Sequence, residues 1–414
     1  MRTLLLFICI CAVSARSIFA AETADVAALQ QQFMDLQRQF TDMKTYYDTK
    51  IAHMQQRIDE LESDNVDAAP QTASVFKTYS GNLPSQLPDI SVVGVTSGMW
   101  SDKTDLEDNH DIVIKEIEMA FQGYVYPWAR YDVFLAVERE EAEYHTHIEE
   151  AFATFFEVPF PYIGSVPGFG AVVGKKFIDI GNVNPVHSHE WTFITRPAVH
   201  EVFFGEEGLN GTGVMLSYTL PLPFFLQLDV GAIHIDGHEH DNDAEHYSLG
   251  IVDETYWGRL WTSLETTRNT ELETGISYVK GEGGEKDEMK DRVQVVGADM
   301  TFRFFGEEAS MITFMNEVYY MRRDIPDDNI HRSGFFNYLE YKVNKTWSFG
   351  MRHDWVETPF EERETLNYLS FIAQYSFSDM FKLKSEYQYD LEENNNTFWL
   401  ELVTGLGPHS HGMR

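Results

Sequence analysis

Histidines occur in pairs and clusters along this chain, and several have carboxylates as neighbours. Imidazole and carboxylate groups together suit zinc, copper, nickel or manganese. Both cysteines lie in the first eleven residues, so no thiolate is available elsewhere and we expect at most a weakly bound, exchangeable divalent metal. Two simpler interpretations stay open: such loops can be solvated surface, and histidine pairs can hold a loop through hydrogen bonds to backbone. The candidate metal ligands are His145, His147, His187, His189, His234, His238 and His240.

Charged residues flank the central histidine pair in the sequence. In a narrowed pore, a few carboxylates in low-dielectric surroundings concentrate the electric field and enrich cations, and basic residues could supply the opposite wall. The alternative is local, because Glu206 and Glu207 could cap a turn between Gly205 and Gly208. The predicted pore constriction comprises Asp179, Glu190, Glu206 and Glu207, with Arg196, Lys175 and Lys176 opposite them.

The overall charge excludes several function classes. The chain has 31 basic and 66 acidic residues, and its formal net charge is −35. Nucleic-acid binding and a phosphate-selective pore both need clustered lysine and arginine, so neither is expected. Only Ser188, between two histidines, suggests a serine nucleophile, and it lacks the glycines of a nucleophile elbow. We therefore expect no enzymatic activity.

Most of these residues fall in one segment, 179–210. Roughly thirty residues between two strand-like segments is long for a loop without structure, so such a segment is either functional or disordered. Its aromatic residues Trp191, Phe193 and Phe203 give it something to pack with, which disordered segments lack. We predict that 179–210 folds into the mouth of a barrel and narrows it.

The elements that must position this segment are β-strands. The chain is 43% hydrophobic and 14% aromatic, yet past the first twenty residues no apolar run approaches the ~18 residues of a membrane helix. Apolar and polar residues alternate instead: Phe381 and Leu383 share one strand face, and Lys382 and Lys384 the other. The sequence predicts an all-β transmembrane barrel of about sixteen antiparallel strands.

A soluble antiparallel sheet would show the same alternation, so the connections decide between the two. Short turns mostly alternate with longer acidic loops, as periplasmic turns and extracellular loops do in outer-membrane barrels. This register places the N-terminus in the periplasm. The predicted long loops are 101–111, 179–210, 236–255, 281–290, 323–331, 357–363 and 391–395.

The N-terminal region has three predicted parts before the barrel at 90–414. Residues 1–20 have the charged, apolar and small-residue zones of a secretory signal. Residues 22–66 repeat apolar positions at heptad spacing, which predicts a periplasmic α-helical coiled coil; a single amphipathic helix packed on a globular core is the alternative. A coiled coil implies oligomerisation, and analogy favours a homotrimer. Residues 67–89 are a linker rich in Ala, Pro, Ser and Gly.

Two patches of sequence resemble a known family. The matching residues are Gly181, Asn184-Pro185, His187, His189, Arg196-Pro197, 204–209 and Gly213, with 405–409 near the C-terminus. They resemble outer-membrane porin-like proteins often named zinc-regulated TonB-dependent outer membrane receptors. The resemblance implies an outer-membrane barrel for a small solute, with a metal among the candidates. The TonB-dependent part of that name does not fit, because roughly 330 residues leave no room for a plug domain and twenty-two strands.

The coiled coil placed before a barrel is also similar to the arrangement of trimeric porins that reach toward peptidoglycan. Together these patterns predict an outer-membrane porin for passive diffusion of small hydrophilic solutes, with a preference for cations and affinity for divalent metals such as zinc. The competing hypothesis is a non-conducting structural barrel that tethers the outer membrane to the cell wall through its coiled coil. The expected partners are outer-membrane lipid, small hydrophilic solutes or cations, and other copies of the chain.

Overall fold

The computed structural model describes the barrel region of the chain and part of its connections. The described residues are 88–103, 108–140, 143–160, 164–205, 207–236, 251–286, 289–325, 328–359 and 363–408. The predicted signal peptide, the predicted coiled coil and nearly all of the predicted linker lie outside them. Among the described residues, no helix is both long enough and apolar enough to cross a membrane.

Sixteen antiparallel strands close into one barrel, in which the first strand pairs with the last. Two further short strands, β5 and β6, form a separate hairpin between the fourth and fifth barrel strands. The prediction of an all-β barrel of about sixteen strands is therefore confirmed. The strands are β1 Asp89–Ser101, β2 Ile112–Tyr126, β3 Ala129–Glu140, β4 Glu143–Phe155, β5 Pro159–Phe160, β6 Gly164–Ser165, β7 Phe169–Phe177, β8 Asn210–Thr219, β9 Gln227–Ile235, β10 Val252–Thr267, β11 Thr270–Lys286, β12 Met289–Phe305, β13 Met311–Ile325, β14 Asp328–Lys342, β15 Trp347–Glu357, β16 Thr365–Ser378, β17 Phe381–Asp390 and β18 Asn396–Leu406.

Side chains alternate between the two faces of the barrel wall. On β13, Glu317, Tyr319 and Met321 are buried on the inner face, whereas Val318 and Tyr320 are exposed on the outer face. An outer surface of exposed apolar side chains is what a barrel embedded in a bilayer presents to lipid. Exposed aromatic residues mark both edges of this band, as in membrane barrels. They include Tyr124, Phe224, Phe304, Trp347, Phe377 and Phe381 at one edge and Tyr144, Tyr256, Tyr278 and Tyr320 at the other.

The two ends of the barrel are named here by their connections. The turn end carries the tight turn between β2 and β3, and the loop end carries residues 178–209 between β7 and β8. Two predicted loops at the loop end are wrong, because 281–290 and 323–331 are almost entirely strand. Cross-strand ion pairs join the strands at this end of the barrel. Asp291, for example, accepts from Arg323 Nε at 2.9 Å.

Residues 178–209, called the inner loop from here on, lie inside the barrel. They contain a short 3-10 helix, Ser188–Glu190, and one α-helix, α1, Ala198–Phe204. Every residue of α1 except Glu201 is buried, so tertiary packing rather than helix propensity stabilises it. Its apolar side chains form one cluster with inward-facing wall residues that include Tyr319, Phe336 and Val356.

Candidate functional site

Asn184 closes the inner loop at its base. Its side-chain amide donates to the carbonyl oxygens of Ile178 at 2.9 Å and Leu209 at 3.1 Å. Its carbonyl oxygen accepts from the Leu209 backbone N–H at 2.9 Å. One buried side chain therefore joins the two ends of the inner loop where they leave β7 and enter β8, which fixes the direction in which the loop enters the barrel.

A buried carboxylate on β13 holds the middle of the inner loop. Glu317 accepts from the backbone N–H of Asn182 at 2.6 Å and of Val183 at 3.2 Å. It also accepts from His200 Nε2 at 2.7 Å and the Tyr319 hydroxyl at 2.6 Å. Burying a carboxylate costs little free energy only when hydrogen-bond donors surround it. Because the inner loop supplies most of these donors, the contact fixes the loop against the wall.

Two more wall carboxylates hold the part of the inner loop that leads into α1. Glu386 on β17 accepts from the backbone N–H of Ile194 at 2.6 Å and from the Thr195 hydroxyl at 2.7 Å. Asp354 on β15 accepts from the Ala198 backbone N–H at 3.1 Å. Arg352 lies between these two carboxylates, 2.7 Å from Asp354 and 3.2 Å from Glu386, so one cation is shared by both.

The opposite side of the inner loop meets β2 and β4 through His187. Its Nδ1 lies 2.7 Å from Glu118 Oε2 and 3.2 Å from Glu149 Oε2, and its Nε2 lies 3.0 Å from Glu150 Oε2. A bulge makes this possible: Phe134 pairs with Glu150 and Leu135 with Ile148, so Glu149 is an extra residue on β4. A bulge changes the direction of the side chains around it, so Glu149 and Glu150 both contact the His187 imidazole.

His189 continues this group of charges. Its Nδ1 lies 3.9 Å from Glu116 Oε1 and 3.8 Å from Glu118 Oε2, and the Ser188 hydroxyl donates to Glu116 at 3.2 Å. One ligand atom from each of Glu118, His187 and His189 lies within 4.8 Å of the other two. We call these six residues the carboxylate–histidine cluster: Glu116, Glu118, Glu149, Glu150, His187 and His189.

The protonation of His187 follows from its surroundings. Burial by itself lowers the pKa of an imidazole, but here the carboxylates of Glu149 and Glu118 outweigh burial and raise the pKa of His187 well above its usual value. Both ring nitrogens face carboxylates at hydrogen-bond distance, which also requires an N–H on each. His187 is therefore an imidazolium, and its single charge stands against four glutamates.

A cavity of about 240 Å³ adjoins the cluster near the loop end. It brings together five of the residues that the sequence predicted for a constriction or metal site: Lys175, Arg196, Glu207, His147 and His187. Glu116, Glu138, Glu149, Lys115 and Arg139 also line it.

The cations around this cavity contact partners of their own. Arg139 Nη2 lies 2.7 Å from Asp108, and Lys175 Nζ donates to the Ile148 carbonyl oxygen at 2.9 Å. Arg196 Nη2 donates to the Glu207 carbonyl oxygen at 3.2 Å, and its guanidinium lies over the Trp191 ring at 5.0 Å. These contacts fix the positions of the cations, which lie around the cavity together with the glutamates.

Other predicted site residues lie away from the cavity. Asp179 pairs with Lys176 at 3.5 Å, and Glu190 is exposed. His145 lies on the strand face of His147 but is exposed, whereas His147 Nε2 is 3.8 Å from Glu138. Glu206, His238 and His240 lie outside the described residues.

His234 projects from the outer face of β9, between the buried, inward-facing Ile233 and Ile235, and its Nε2 lies 3.6 Å from Asp236. Its position follows from strand alternation, which sends neighbouring residues to opposite faces of the wall.

The glutamates of the cluster are candidate functional residues that were not predicted from the sequence. In the sequence, Glu116 and Glu118 lie on the polar face of a predicted strand, as many other charged residues do, and Glu149 and Glu150 were not selected. The useful signal was the adjacent acidic pair Glu149-Glu150, because consecutive strand residues can share a face only at a bulge.

Comparison with known proteins gives the fold and little beyond it. No family model matches the chain. An uncharacterized protein of Aquifex aeolicus is 28% identical over 234 residues, which cover 50% of this chain and 48% of that protein. The chain thus spans about half the length of the curated relative that it matches.

Solved outer-membrane proteins align with the barrel. A loop-deletion mutant of OmpT from Vibrio cholerae aligns over 77% of this chain and 99% of its own, with a TM-score of 0.51 and 10% identity. OmpF of Salmonella typhi, in complex with daunomycin, covers 77% and 97% with a TM-score of 0.51 and 9% identity. An anion-selective porin from Comamonas acidovorans covers 77% and 100% with a TM-score of 0.50 and 8% identity.

The chain has the outer-membrane porin fold. In this porin-type barrel, the carboxylate–histidine cluster lies where the inner loop meets β2 and β4. The similarity does not extend to the receptor family suggested by the two sequence patches.

Proposed function

We propose that this protein is an outer-membrane channel for passive diffusion of small hydrophilic solutes. The porin fold and the apolar outer band support insertion into the outer membrane. The inner loop supports a narrowed path, because its side chains contact the wall on opposite sides, at β13 to β17 and at β2 to β4. No enzymatic activity is part of this proposal.

The channel prefers cations, and the carboxylate–histidine cluster is the observation that carries this part of the proposal. Four glutamates converge on His187 and His189 beside the cavity. Carboxylates in a narrow, low-dielectric passage enrich cations. The porin fold alone does not determine the sign of the preferred ion, because an anion-selective porin shares it.

Reversal potentials in planar bilayers under a potassium chloride gradient test the proposal. The wild type should conduct and prefer potassium, and Glu116→Gln/Glu149→Gln should lower the cation-to-anion permeability ratio by about threefold or more. The matched control is Glu265→Gln/Glu271→Gln, which removes two carboxylates at the turn end. An equal ratio in the wild type and both variants contradicts the role of the cluster.

A barrel that does not conduct would favour the structural hypothesis instead. Co-sedimentation of the full chain with peptidoglycan would then test whether it tethers the outer membrane to the cell wall.

For the conducting protein we propose a homotrimer, with the N-terminal coiled coil in the periplasm. Crystals of Vibrio cholerae OmpT described as a trimer form show that a barrel of this fold can assemble so. Mass photometry of the purified full chain checks the subunit number.

A second candidate function is binding of a divalent transition metal at Glu118, His187 and His189. Their potential ligand atoms lie within 4.8 Å of one another, all three residues are buried, and two imidazoles with a carboxylate suit zinc, nickel, copper or manganese. A metal would take the place of the His187 proton and offset the excess negative charge of the cluster. No other cofactor is proposed.

Cobalt(II) is a suitable probe for this site, because its visible absorption changes on coordination. The full chain should bind cobalt, and His187→Gln/His189→Gln should weaken binding at least about tenfold, the lower end expected for losing metal ligands or their partners. The control His145→Gln/His234→Gln removes two exposed histidines. Equal binding by both double variants rules out the cluster as the metal site.

A further inference from the structure

The outer face of β11 to β14 carries a row of cationic side chains at the loop end. Lys280, Gln294, Arg322 and His331 are direct cross-strand neighbours in the antiparallel register. Lys280, Arg322 and His331 are exposed. These four residues are called the basic row below. No carboxylate belongs to it, although acidic residues outnumber basic ones 66 to 31 in the whole chain.

The residues next to the basic row, on the side of the membrane band, are apolar or aromatic. Tyr278, Val296 and Tyr320 form the adjacent cross-strand row, and their exposed fractions are 43%, 53% and 50%. Along β11 and β13 the surface thus changes from an aromatic to a cationic residue within two positions. Tyrosines mark the level of lipid headgroups in membrane proteins, so the basic row lies at or just above that level.

Hydrogen bonds connect the two rows. The Tyr278 hydroxyl donates to Gln294 at 3.2 Å, and the Tyr320 hydroxyl lies 2.8 Å from His331 Nδ1. The Tyr320 and His331 rings are also stacked, with centroids 5.9 Å apart. The polar side chains are thereby held over the aromatic residues instead of extending freely into solvent.

The strands also continue past the basic row. β11 runs six residues beyond Lys280, to Lys286, and the next three strands are of similar length. Asp324 on the far side of the row contacts Arg322 Nε at 2.8 Å. A guanidinium has five N–H donors, so Arg322 can keep this contact and still bind a phosphate.

We propose that the basic row binds the phosphate of an anionic membrane-lipid headgroup, whose acyl chains lie against Tyr278, Val296 and Tyr320. Charge complementarity selects the partner, since lysine and arginine beside an aromatic belt attract anionic lipid. The site lies on the outside of the wall, so this inference does not depend on the channel function.

Native mass spectrometry of the full chain in detergent can test this. The probe is phosphatidylglycerol, compared with phosphatidylcholine of the same acyl chains. The wild type should retain phosphatidylglycerol preferentially, and Lys280→Gln/Arg322→Gln should lower its apparent affinity about tenfold, as expected for removing two cations near the headgroup. The matched control is Arg268→Gln/Lys345→Gln, which removes two cations from turns at the opposite end of the barrel. It should bind like the wild type.

Three results would overturn the proposal. One is no preference for phosphatidylglycerol in the wild type, and another is an equal loss of affinity in both double variants. The third is displacement of the lipid by inorganic phosphate at comparable concentration, which would identify a soluble anion as the ligand. All four substituted side chains lie outside the buried core, and an unchanged strand signal in circular dichroism checks that the variants fold. Single-channel conductance should stay the same, so failure here leaves the channel proposal standing.

Discussion

The inner loop contacts the barrel wall on two sides, and both sides use buried carboxylates in different ways. On the side of β13 to β17, Glu317, Asp354 and Glu386 accept from backbone N–H groups of the loop, and Arg352 contacts the last two. On the side of β2 and β4, four glutamates lie around His187 and His189. Two of them, Glu116 and Glu149, also line the cavity.

The difference lies in the number of donors and cations per carboxylate. A buried carboxylate with several donors fixes structure, because removing it leaves those donors without partners. Glutamates crowded around too few cations repel one another and leave a negative field that a mobile cation can compensate. We infer that the first side holds the inner loop in place and the second side selects what passes it.

Removal of Glu317 should give the largest effect. Glu317→Ala leaves the Asn182 and Val183 N–H groups and His200 without their acceptor, so we expect about 3–5 kcal/mol of destabilisation in urea unfolding. Chymotrypsin should also cleave faster after Trp191 in the inner loop. The control Glu271→Ala removes a partly exposed carboxylate that lies 3.5 Å from Arg303 and should cost under about 1 kcal/mol. Similar losses in both variants would remove the distinction between the two sides.

Gly181 gives a second test of the anchored side. Its φ of +59° lies in the left-handed region, and a Cβ there would overlap the Glu317 carboxylate and the Tyr319 hydroxyl. Gly181→Ala should therefore destabilise the protein by about 1–3 kcal/mol. The control is Gly94→Ala on β1, where a Cβ would lie at an ordinary 3.6 Å from Thr404. Equal stability of Gly181→Ala and wild type would show that the loop can shift away from Glu317 at no cost.

The sequence predicted the barrel but not the cluster, and the reason is physical. Alternation with period two depends on local residue order, so the sixteen strands could be read directly. The meeting of Glu118 with Glu150 and His187 depends on the direction in which the inner loop enters the barrel and on the bulge at Glu149, and only the bulge has a local signal, the adjacent acidic pair. The charged residues of 281–290 and 323–331 misled for a related reason, since cross-strand ion pairs such as that of Arg323 with Asp291 let strands continue through charged sequence.

The cavity side should respond to pH through His187. In the metal-free protein its pKa is raised well above 6.5, so its stabilising contribution is complete below about pH 6.5 and is lost as pH rises through the folded-state pKa. In urea unfolding with a chelator present, the difference in unfolding free energy between the wild type and His187→Gln should therefore decrease as pH rises. His145→Gln is the control, with no such pH dependence expected. A difference that stays constant, or grows, toward alkaline pH would contradict an imidazolium between the glutamates.

The smallest effect should come from His234, which lies on the outer face of the wall, away from the cavity. Its side chain is half exposed on the outer face, and Asp236, 3.6 Å away, is 79% exposed, so water can replace either partner. His234→Gln should change unfolding free energy by no more than about 0.5 kcal/mol and leave ion selectivity unchanged. A shift in the reversal potential would mean that charges outside the wall influence permeation, and selectivity could then no longer be assigned to the cavity side alone.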